Sequence, residues 1–338
     1  MKRWRRSLIW SGGSKPLDSR GVTFLLEAAE PARVHSIDLD GFAERLRTGH
    51  LGLSVGPFDV RISADARALL PHLHALYADH PLLELDRVFS CHLQLRERWR
   101  VRPRPGRYVR FTVDGVAPHD DMPAGHSLAV LEWGLNLVIA LRSHRYLMLH
   151  AAVVERNGYA LALPAAPGCG KTTLCAALSH RGWRLLSDEF GLMNPGSLSF
   201  VPLPRPMPLK NESIDVIRQF APEALIGPSI AGTRKGTVAH VKPPAESVRR
   251  QQETAEGRWL VFPSWQRDVT LQLHEVPRID GFAKVATNAF NYEIHGAAGF
   301  ETVRDLVATS RCFRLTYSNL EEAVEALTAM ADEGVARA

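Results

Sequence analysis

Residues 160–178, ALALPAAPGCGKTTLCAAL, combine glycines, a lysine and two threonines in an order that suits phosphate binding. Phosphate-binding loops follow the pattern Gly, four residues, Gly, Lys and then Ser or Thr. Gly170, Lys171 and Thr172 fit this pattern, whereas Ala165 stands where the first glycine belongs. A methyl group is compatible with that position when its φ is negative. The residues therefore predict a loop that can bind the phosphates of a nucleotide.

The segments on either side of the loop supply the context that such a site requires. An apolar run, YALALP, predicts a strand before the loop, and a helix is predicted over 171–181 after it. Backbone N–H groups, the dipole of the helix N-terminus and a lysine can together hold phosphate. The open alternative is a helix start that happens to read Gly-Lys-Thr. The predicted nucleotide-binding residues are Gly168, Cys169, Gly170, Lys171, Thr172 and Thr173.

Asp188 follows Lys171 by 17 positions and is itself followed by Glu189. The two acids end the predicted strand WRLLSDE, which we expect to lie parallel to the loop strand and directly beside it. Neighbouring parallel strands end on the same side of a sheet, so Asp188 is expected near the γ-phosphate. A carboxylate there can take a proton from an attacking hydroxyl or hold a metal ion. A turn or helix-capping aspartate is the alternative.

His150 closes the predicted strand LMLHAAVV. A single histidine among apolar residues is usually a core residue, so the residues alone leave its role open.

Residues 149–189, LHAAVVERNGYALALPAAPGCGKTTLCAALSHRGWRLLSDE, resemble the catalytic core of bacterial HPr kinase/phosphorylase. That family carries a histidine before a hairpin, then the phosphate-binding loop, then RGxRLxxDD. The resemblance implies an α/β fold, namely a P-loop core with a mixed sheet, similar to HPr kinase and to phosphoenolpyruvate carboxykinase. The sequence departs from the family at Ala165, at Glu189 in place of a second aspartate, and in lacking the EIRGLGI signature.

The resemblance also implies roles for individual residues. Asp188 matches the general base and His150 the histidine near it, with Lys171 as the third catalytic residue. ATP and Mg²⁺ are the implied cofactors, with metal ligands at Thr172, Glu189 and Glu212. The family transfers the γ-phosphate of ATP to a serine of a small carrier protein, and it forms hexamers. Some divergent relatives phosphorylate precursor peptides of modified natural products.

The predicted function is therefore an ATP-dependent kinase that acts on a serine or threonine hydroxyl of a protein or peptide, such as a carrier protein or a precursor peptide. Two alternatives stay open. One is a kinase for a small-molecule hydroxyl, because shikimate-type kinases place an aspartate about this far past the loop lysine. The other is a non-catalytic, nucleotide-sensing scaffold for a biosynthetic complex.

The chain divides, on its turn signals, into an N-terminal α+β domain, 1–126, and a kinase domain, 127–338. The first domain is predicted to hold strands over 58–63 and 108–115 and a helix interrupted at Pro71. The second opens with an apolar helix over 127–143, too short to span a bilayer. An Asn-Gly hairpin precedes the glycine-rich loop. Further strands are predicted at 258–262, 269–276 and 312–318, and a capping box of Ser318 and Glu321 opens the last helix.

Two other segments could belong to the site. PLKNESIDVIR places Lys210 and Glu212 at a helix start, with Asn211 as its cap. An ordinary first-turn glutamate is the alternative for Glu212. The basic segment 231–244 could be a flap whose Arg234 and Lys235 clamp phosphate or substrate; a mobile surface loop is the alternative.

Charge and cysteine content limit the classes of partner and ligand that the sequence predicts. A net charge of +5, evenly spread, gives no reason to expect nucleic acid, and no membrane partner is expected. Arginines at 96, 98, 100, 102 and 104 are predicted to share one face of an extended segment, either as a docking face for an acidic partner or as a solvated edge strand. The four cysteines have no metal or disulfide spacing. The basic N-terminus lacks the roughly 7–15 apolar residues of a secretory signal, so we expect a cytoplasmic protein.

Overall fold

The protein folds into three β-sheets with helices packed on them. The structure, a computed structural model, describes residues 31–102 and 104–336. The basic N-terminal segment on which the localisation prediction rests lies outside the described residues. The architecture is mixed α/β, as predicted.

The first sheet has six strands in the order β3-β1-β2-β4-β5-β6. Only the β2–β4 pair is parallel. Helices α1 (Leu39–Thr48) and α2 (Leu70–Leu76) belong to the same core. Pro71 lies in the first turn of α2 and does not interrupt it, because that turn needs no N–H from this residue. The strands are β1 (Leu51–Val55), β2 (Phe58–Ala64), β3 (Leu82–Leu83), β4 (Cys91–Arg100), β5 (Gly106–Val113) and β6 (Met122–Pro123).

Helix α3 (Ser127–Arg142) packs on this sheet and confirms the predicted apolar helix. The segment 124–142 is long and apolar enough to cross a membrane by length and composition, yet more than half of it is buried within the protein. Gly134 permits the contact, since a Cβ there would stand 2.0 Å from the ring of Phe111. The core continues past the predicted boundary at 126, because buried residues of 128–148 and 190–203 join those of the six-stranded sheet.

The second sheet has eight strands and is mixed, as predicted. Strands β8, β15 and β17 run parallel to one another, whereas β7 is antiparallel to all its neighbours. The β7–β8 hairpin turns at Asn157 and Gly158, which both have positive φ as a type I′ turn requires. The strands are β7 (Leu147–Arg156), β8 (Tyr159–Pro164), β9 (Arg184–Ser187), β10 (Phe190–Met193), β11 (Ser199–Val201), β15 (Ala255–Trp265), β16 (Gln272–Glu275) and β17 (Arg311–Tyr317).

Helices cover both faces of the eight-stranded sheet. One face packs on α4 (Lys171–Ser179), α5 (Glu212–Phe220) and α9 (Leu320–Ala336). The other packs on α7 (Arg278–Thr287) and α8 (Tyr292–Thr309). Alternate residues of β7 enter the two cores, and this explains why residues 147–154 are apolar on both faces apart from His150.

A third sheet has three strands in the order β12-β14-β13, with β14 in the middle. A short helix, α6 (Ala245–Arg249), follows it. Buried residues of β12 and β14 join the core that contains α4. The strands are β12 (Met207–Lys210), β13 (Ile230–Thr233) and β14 (Gly236–Val241).

Two predicted helix caps are wrong. Asn319, not Ser318, caps α9, since its side-chain oxygen accepts from the N–H groups of Glu321 and Glu322. The Ser318 hydroxyl instead donates to the carbonyl of Val269. Asn211 precedes α5 but caps nothing. Its φ is +50°, and its side-chain oxygen accepts from the N–H of Thr237 across the sheet.

Candidate functional site

The glycine-rich loop, residues 165–170, joins the end of β8 to the first residue of α4. Gly168 and Gly170 both have left-handed backbone, with φ of +92° and +88°. At Gly170 an added Cβ would stand 2.7 Å from the Tyr317 hydroxyl, so both backbone and space demand glycine. Ala165 is buried and is not among the residues with positive φ. An alanine therefore suits the position where the usual pattern has glycine.

The loop leaves the N-terminus of α4 open to an anion. Gly170 occupies the capping position, and no described side chain caps the first turn. The free N–H groups and partial positive charge of a helix start attract phosphate. Thr172 and Thr173 are half-buried in that turn. Cys169 is also half-buried, with its Sγ 2.8 Å from the carbonyl oxygen of Ala166.

Asp188 lies at a break in the sheet rather than at its end. Strands β9 and β10 both pair with β7, and the two acids occupy the gap between them. Across β7 the other neighbour is β8, with Pro164 opposite Ala151. The predicted direct pairing of the Asp188 strand with the loop strand is therefore wrong, because β7 runs between them. Both still flank the same stretch of β7, and this brings Asp188 close to the loop.

Lys171 and Asp188 are buried charges without partners. Lys171 is 6% exposed and Asp188 is 7% exposed. Neither the Nζ nor either carboxylate oxygen has a hydrogen-bond partner among the described residues. Leaving a buried polar group unpaired costs about 1–3 kcal/mol, more for a charged group. Such a pair fits a ligand that supplies the missing contacts, and phosphate with a divalent cation has the right chemistry.

Burial raises the pKa of Asp188 from its ordinary 3.8 to about 7. The nearby Lys171 ammonium lowers that pKa, whereas Glu189 raises it further. Thr172 and Lys210 also favour the charged form, although the Thr172 hydroxyl does not reach hydrogen-bond geometry with either oxygen. A carboxyl with a pKa near 7 can exchange a proton readily at neutral pH.

His150 stands beside the second acid. Its Nε2 is 3.8 Å from Oε1 of Glu189, and its ring contacts Phe290 with centroids 5.3 Å apart. Burial lowers the pKa of His150, with Lys171 acting in the same direction and Glu189 opposing. The imidazole is therefore neutral at pH 7. It contributes a dipole beside the Glu189 carboxylate but no positive charge.

Lys210 and Lys235 place two exposed side chains near His150 and Glu189. Lys210 ends β12, and Lys235 lies in the turn between β13 and β14. Both act on the pKa of His150, and both line a narrow chamber with Glu189. This chamber has a volume of about 10 Å³, room for roughly one water molecule.

Three buried polar residues form the inner wall of this chamber and were missed by sequence reasoning: Glu132, Arg205 and His240. Among the described residues, Oε2 of Glu132, Nη1 of Arg205 and both ring nitrogens of His240 have no hydrogen-bond partner, although Nη2 of Arg205 lies 3.8 Å from Oε2 of Glu132. Burial raises the pKa of Glu132 and lowers that of His240 to about 3. Glu132 and Asn136, two polar residues within the otherwise apolar centre of α3, were the available signal, and both line the chamber.

The structure gathers most of the predicted site residues but leaves Glu212 apart. Lys171, Thr172, Asp188, Glu189 and His150 meet around β7. Glu212 is exposed at the first position of α5 and is not among the charges that shift the pKa of Asp188. Within residues 31–102 and 104–336, no cluster of three His, Cys, Asp or Glu side chains is arranged to hold a metal ion by itself. Carboxylate oxygens and the Thr172 hydroxyl could hold Mg²⁺ together with phosphate oxygens.

The arginine series fits its prediction only in part. Arg96, Arg98 and Arg100 share a face of β4, in the half of that strand that pairs with β5 alone, because β2 pairs only with residues 91–95. Arg102 and Arg104 are exposed in the turn after β4 and do not continue the strand.

A scan against models of protein families matched none of them, and a search of curated proteins found no significant match.

Proposed function

We propose that this protein is an ATP-dependent kinase that transfers the γ-phosphate to a serine or threonine hydroxyl of a protein or peptide. The observation that carries the proposal is the pair of buried, unpartnered charges, Lys171 and Asp188, beside an uncapped helix N-terminus. A structural ion pair would bring its charges into contact, whereas these two make no ion pair within 4.0 Å. Their arrangement suits a phosphoryl group placed between them.

In this proposal, the glycine-rich loop holds the phosphates of ATP as a P-loop. Backbone N–H groups from Gly168 to Thr173 supply hydrogen bonds, and the Nζ of Lys171 neutralises phosphate charge. Mg²⁺, when bound, neutralises further charge on the phosphates. The hydroxyl of Thr172 and the carboxylate of Glu189 would hold it, whereas Glu212, exposed at the start of α5, is not among the charges that act on Asp188.

Asp188 acts as the general base. It accepts the proton of the acceptor hydroxyl while that oxygen attacks the γ-phosphorus and the bond to ADP breaks. A pKa of about 7 keeps Asp188 ready to accept the proton near neutral pH. Lys210 and Lys235 add positive charge near the transferred group, and His150 stays neutral beside Glu189.

The mixed sheet and the position of the loop after β8 support an HPr-kinase-like core. A homo-oligomeric enzyme belongs to the same proposal through that resemblance, and the cytoplasmic location is carried over from the sequence-based prediction. The small-molecule alternative is disfavoured by β7, the strand before the loop that carries His150, which has no place in the compact shikimate-type kinases. A non-catalytic scaffold is disfavoured by the unpaired Asp188, which nucleotide binding alone does not require.

The test is to incubate the protein with γ-³²P-labelled ATP, Mg²⁺ and a cell lysate, then separate acid-precipitated protein from soluble small molecules. We expect label in the protein fraction, as acid-stable phosphoserine or phosphothreonine. Label that enters soluble compounds alone would favour the small-molecule kinase. No transfer beyond a no-enzyme control, despite MgATP binding, would favour the scaffold.

A further inference from the structure

A wide cleft of about 1130 Å³ opens between the six-stranded sheet and the β13–β14 hairpin. Its walls come from the β4–β5 hairpin, the segment 117–126, Trp133 of α3 and residues 232–234. Ligand pockets for small molecules usually measure about 300–1,000 Å³. The cleft therefore has room for several residues of an extended polypeptide.

Positive charge dominates the lining of the cleft, with four arginines against two aspartates. Asp121 is already occupied, since Arg110 donates to it at 2.7 Å and Arg100 lies 3.8 Å away. Arg104 and Arg234 form no ion pair with any residue of the described part of the chain, and both are exposed. These two cations are thus available to an incoming anion.

The cleft adjoins the chamber beside Glu189. Trp133 lines both the cleft and the chamber that contains Glu189 and Lys210. At the tip of the β13–β14 hairpin, Arg234 faces the cleft and its neighbour Lys235 faces the chamber. A contact of 3.1 Å between Nε2 of His126 and the carbonyl of Ala231 ties this hairpin to the start of α3. A chain lying in the cleft would therefore pass beside the chamber.

We infer that the cleft docks an acidic segment of the polypeptide that accepts the phosphate. This inference rests on the proposed kinase function and names the class of its acceptor. Carboxylates of the segment pair with Arg104 and Arg234, while Tyr108 and Trp133 offer ring surfaces to its backbone and apolar groups. Asp120 interrupts the positive surface, and separate carboxylates along a polypeptide can avoid it more easily than the continuous phosphates of a nucleic acid, so a polypeptide fits better.

The test uses a fluorescein-labelled dodecapeptide, (Glu-Ser)₆, whose binding is followed by fluorescence anisotropy. The double variant Arg104→Gln/Arg234→Gln is compared with Arg47→Gln/Arg304→Gln, two exposed arginines elsewhere that carry the same change in charge. We expect the Kd to rise about tenfold in the cleft variant only, as when two favourable charge contacts are lost. The difference should shrink at high salt.

Equal Kd values for the two double variants would overturn the inference, and so would equal binding of (Lys-Ser)₆ or tighter binding of single-stranded DNA. The experiment separates this inference from the proposed kinase activity, because peptide binding needs no ATP. Peptide binding that depends on Arg104 and Arg234 without any phosphate transfer would refute the kinase and leave the docking site standing. Phosphate transfer to acidic protein that is insensitive to both arginines would do the reverse.

Discussion

The loop site and the cleft differ in the burial and pairing of their charged residues. In the loop site, Lys171 and Asp188 are buried without a partner in the described part of the chain, and burying them in this way costs stability. In the cleft, Arg100 and Arg110 are more exposed and already paired with Asp121, in ion pairs that contribute little to stability. Chemistry needs charges whose partners are missing until the ligand arrives, whereas docking needs only an excess of one sign near solvent.

The two regions also differ in how the chain builds them. The glycine-rich loop, the helix after it and the two acids lie within 25 residues of one another. Four segments spread over residues 100–234 must meet to form the cleft. Substitutions in the loop site should therefore abolish function through single residues, and substitutions in the cleft should act in small additive steps.

The largest effect is expected from Lys171→Ala. The loss of the buried ammonium removes the charge that neutralises the phosphates, so transfer of label from ATP to protein should fall below detection. Binding of (Glu-Ser)₆ in the cleft should not change. Lys284→Ala on α7 serves as the matched control. If Lys171→Ala transfers phosphate as fast as Lys284→Ala does, the loop has no part in the mechanism.

Asp188→Asn keeps the shape of the side chain and removes its basicity. Transfer should fall by roughly 10²–10⁴, the usual contribution of a positioned base, while MgATP still binds. The rival role of Asp188 as a metal ligand predicts that excess Mg²⁺ or Mn²⁺ restores much of the rate. The rate is measured by incorporation of label into lysate protein. Recovery of the rate at high metal concentration would show that Asp188 is a metal ligand and not the general base.

The buried carboxyl should also reveal itself in stability against pH. Burial raises the pKa of Asp188 to about 7, so the folded state binds more protons than the unfolded state between pH 4 and pH 7. Stability due to this group therefore falls as pH rises through that window and levels off above it. Asp188→Asn removes the effect, so the free energy of unfolding of the variant relative to wild type should increase from pH 4 to pH 8, by up to about 4 kcal/mol. The Tm of the variant relative to wild type should rise in the same direction.

The control for this measurement is Asp215→Asn, which alters an exposed carboxyl on α5. Its Tm should follow the wild-type curve. A parallel offset of Asp188→Asn at every pH would show that Asp188 is ionised throughout and that the site is not desolvated.

The smallest effect in the loop site is expected from His150→Ala. Its lowered pKa leaves the ring neutral at pH 7, so it carries no charge to lose. We expect a decrease in transfer of about tenfold or less, because it acts on Glu189 from 3.8 Å and not on the acceptor. His150→Gln should restore part of the rate. A loss as large as that of Asp188→Asn would give His150 a direct part in proton transfer.

Local patterns predicted local structure well. The apolar helix α3, the Asn-Gly hairpin, the helix after the glycine-rich loop and the mixed character of the second sheet all followed from residue spacing. The order of strands did not, because pairing depends on side-chain contacts between strands and on which faces are buried, and the pattern within one strand does not show its neighbour. Thus β7 separates the Asp188 strand from the loop strand.

The chamber beside Glu189 shows the same limit. Glu132, Arg205 and His240 come from α3, from the segment before β12 and from β14, and no spacing connects them. The arginine series was predicted to share one face of an extended segment, yet β4 ends at Arg100, and Arg102 and Arg104 lie in the turn that follows. Contacts between distant segments, and the residue at which a strand ends, leave no trace in a local pattern.

The most direct test of the central claim is calorimetric titration of MgATP into wild type and Lys171→Ala under identical conditions. If the buried Lys171 and the uncapped start of α4 form a nucleotide site, wild type should bind MgATP, and the variant should bind it at least tenfold more weakly. AMP, which lacks the β- and γ-phosphates, should not compete. No binding heat with wild type, or the same affinity in both proteins, would contradict the account.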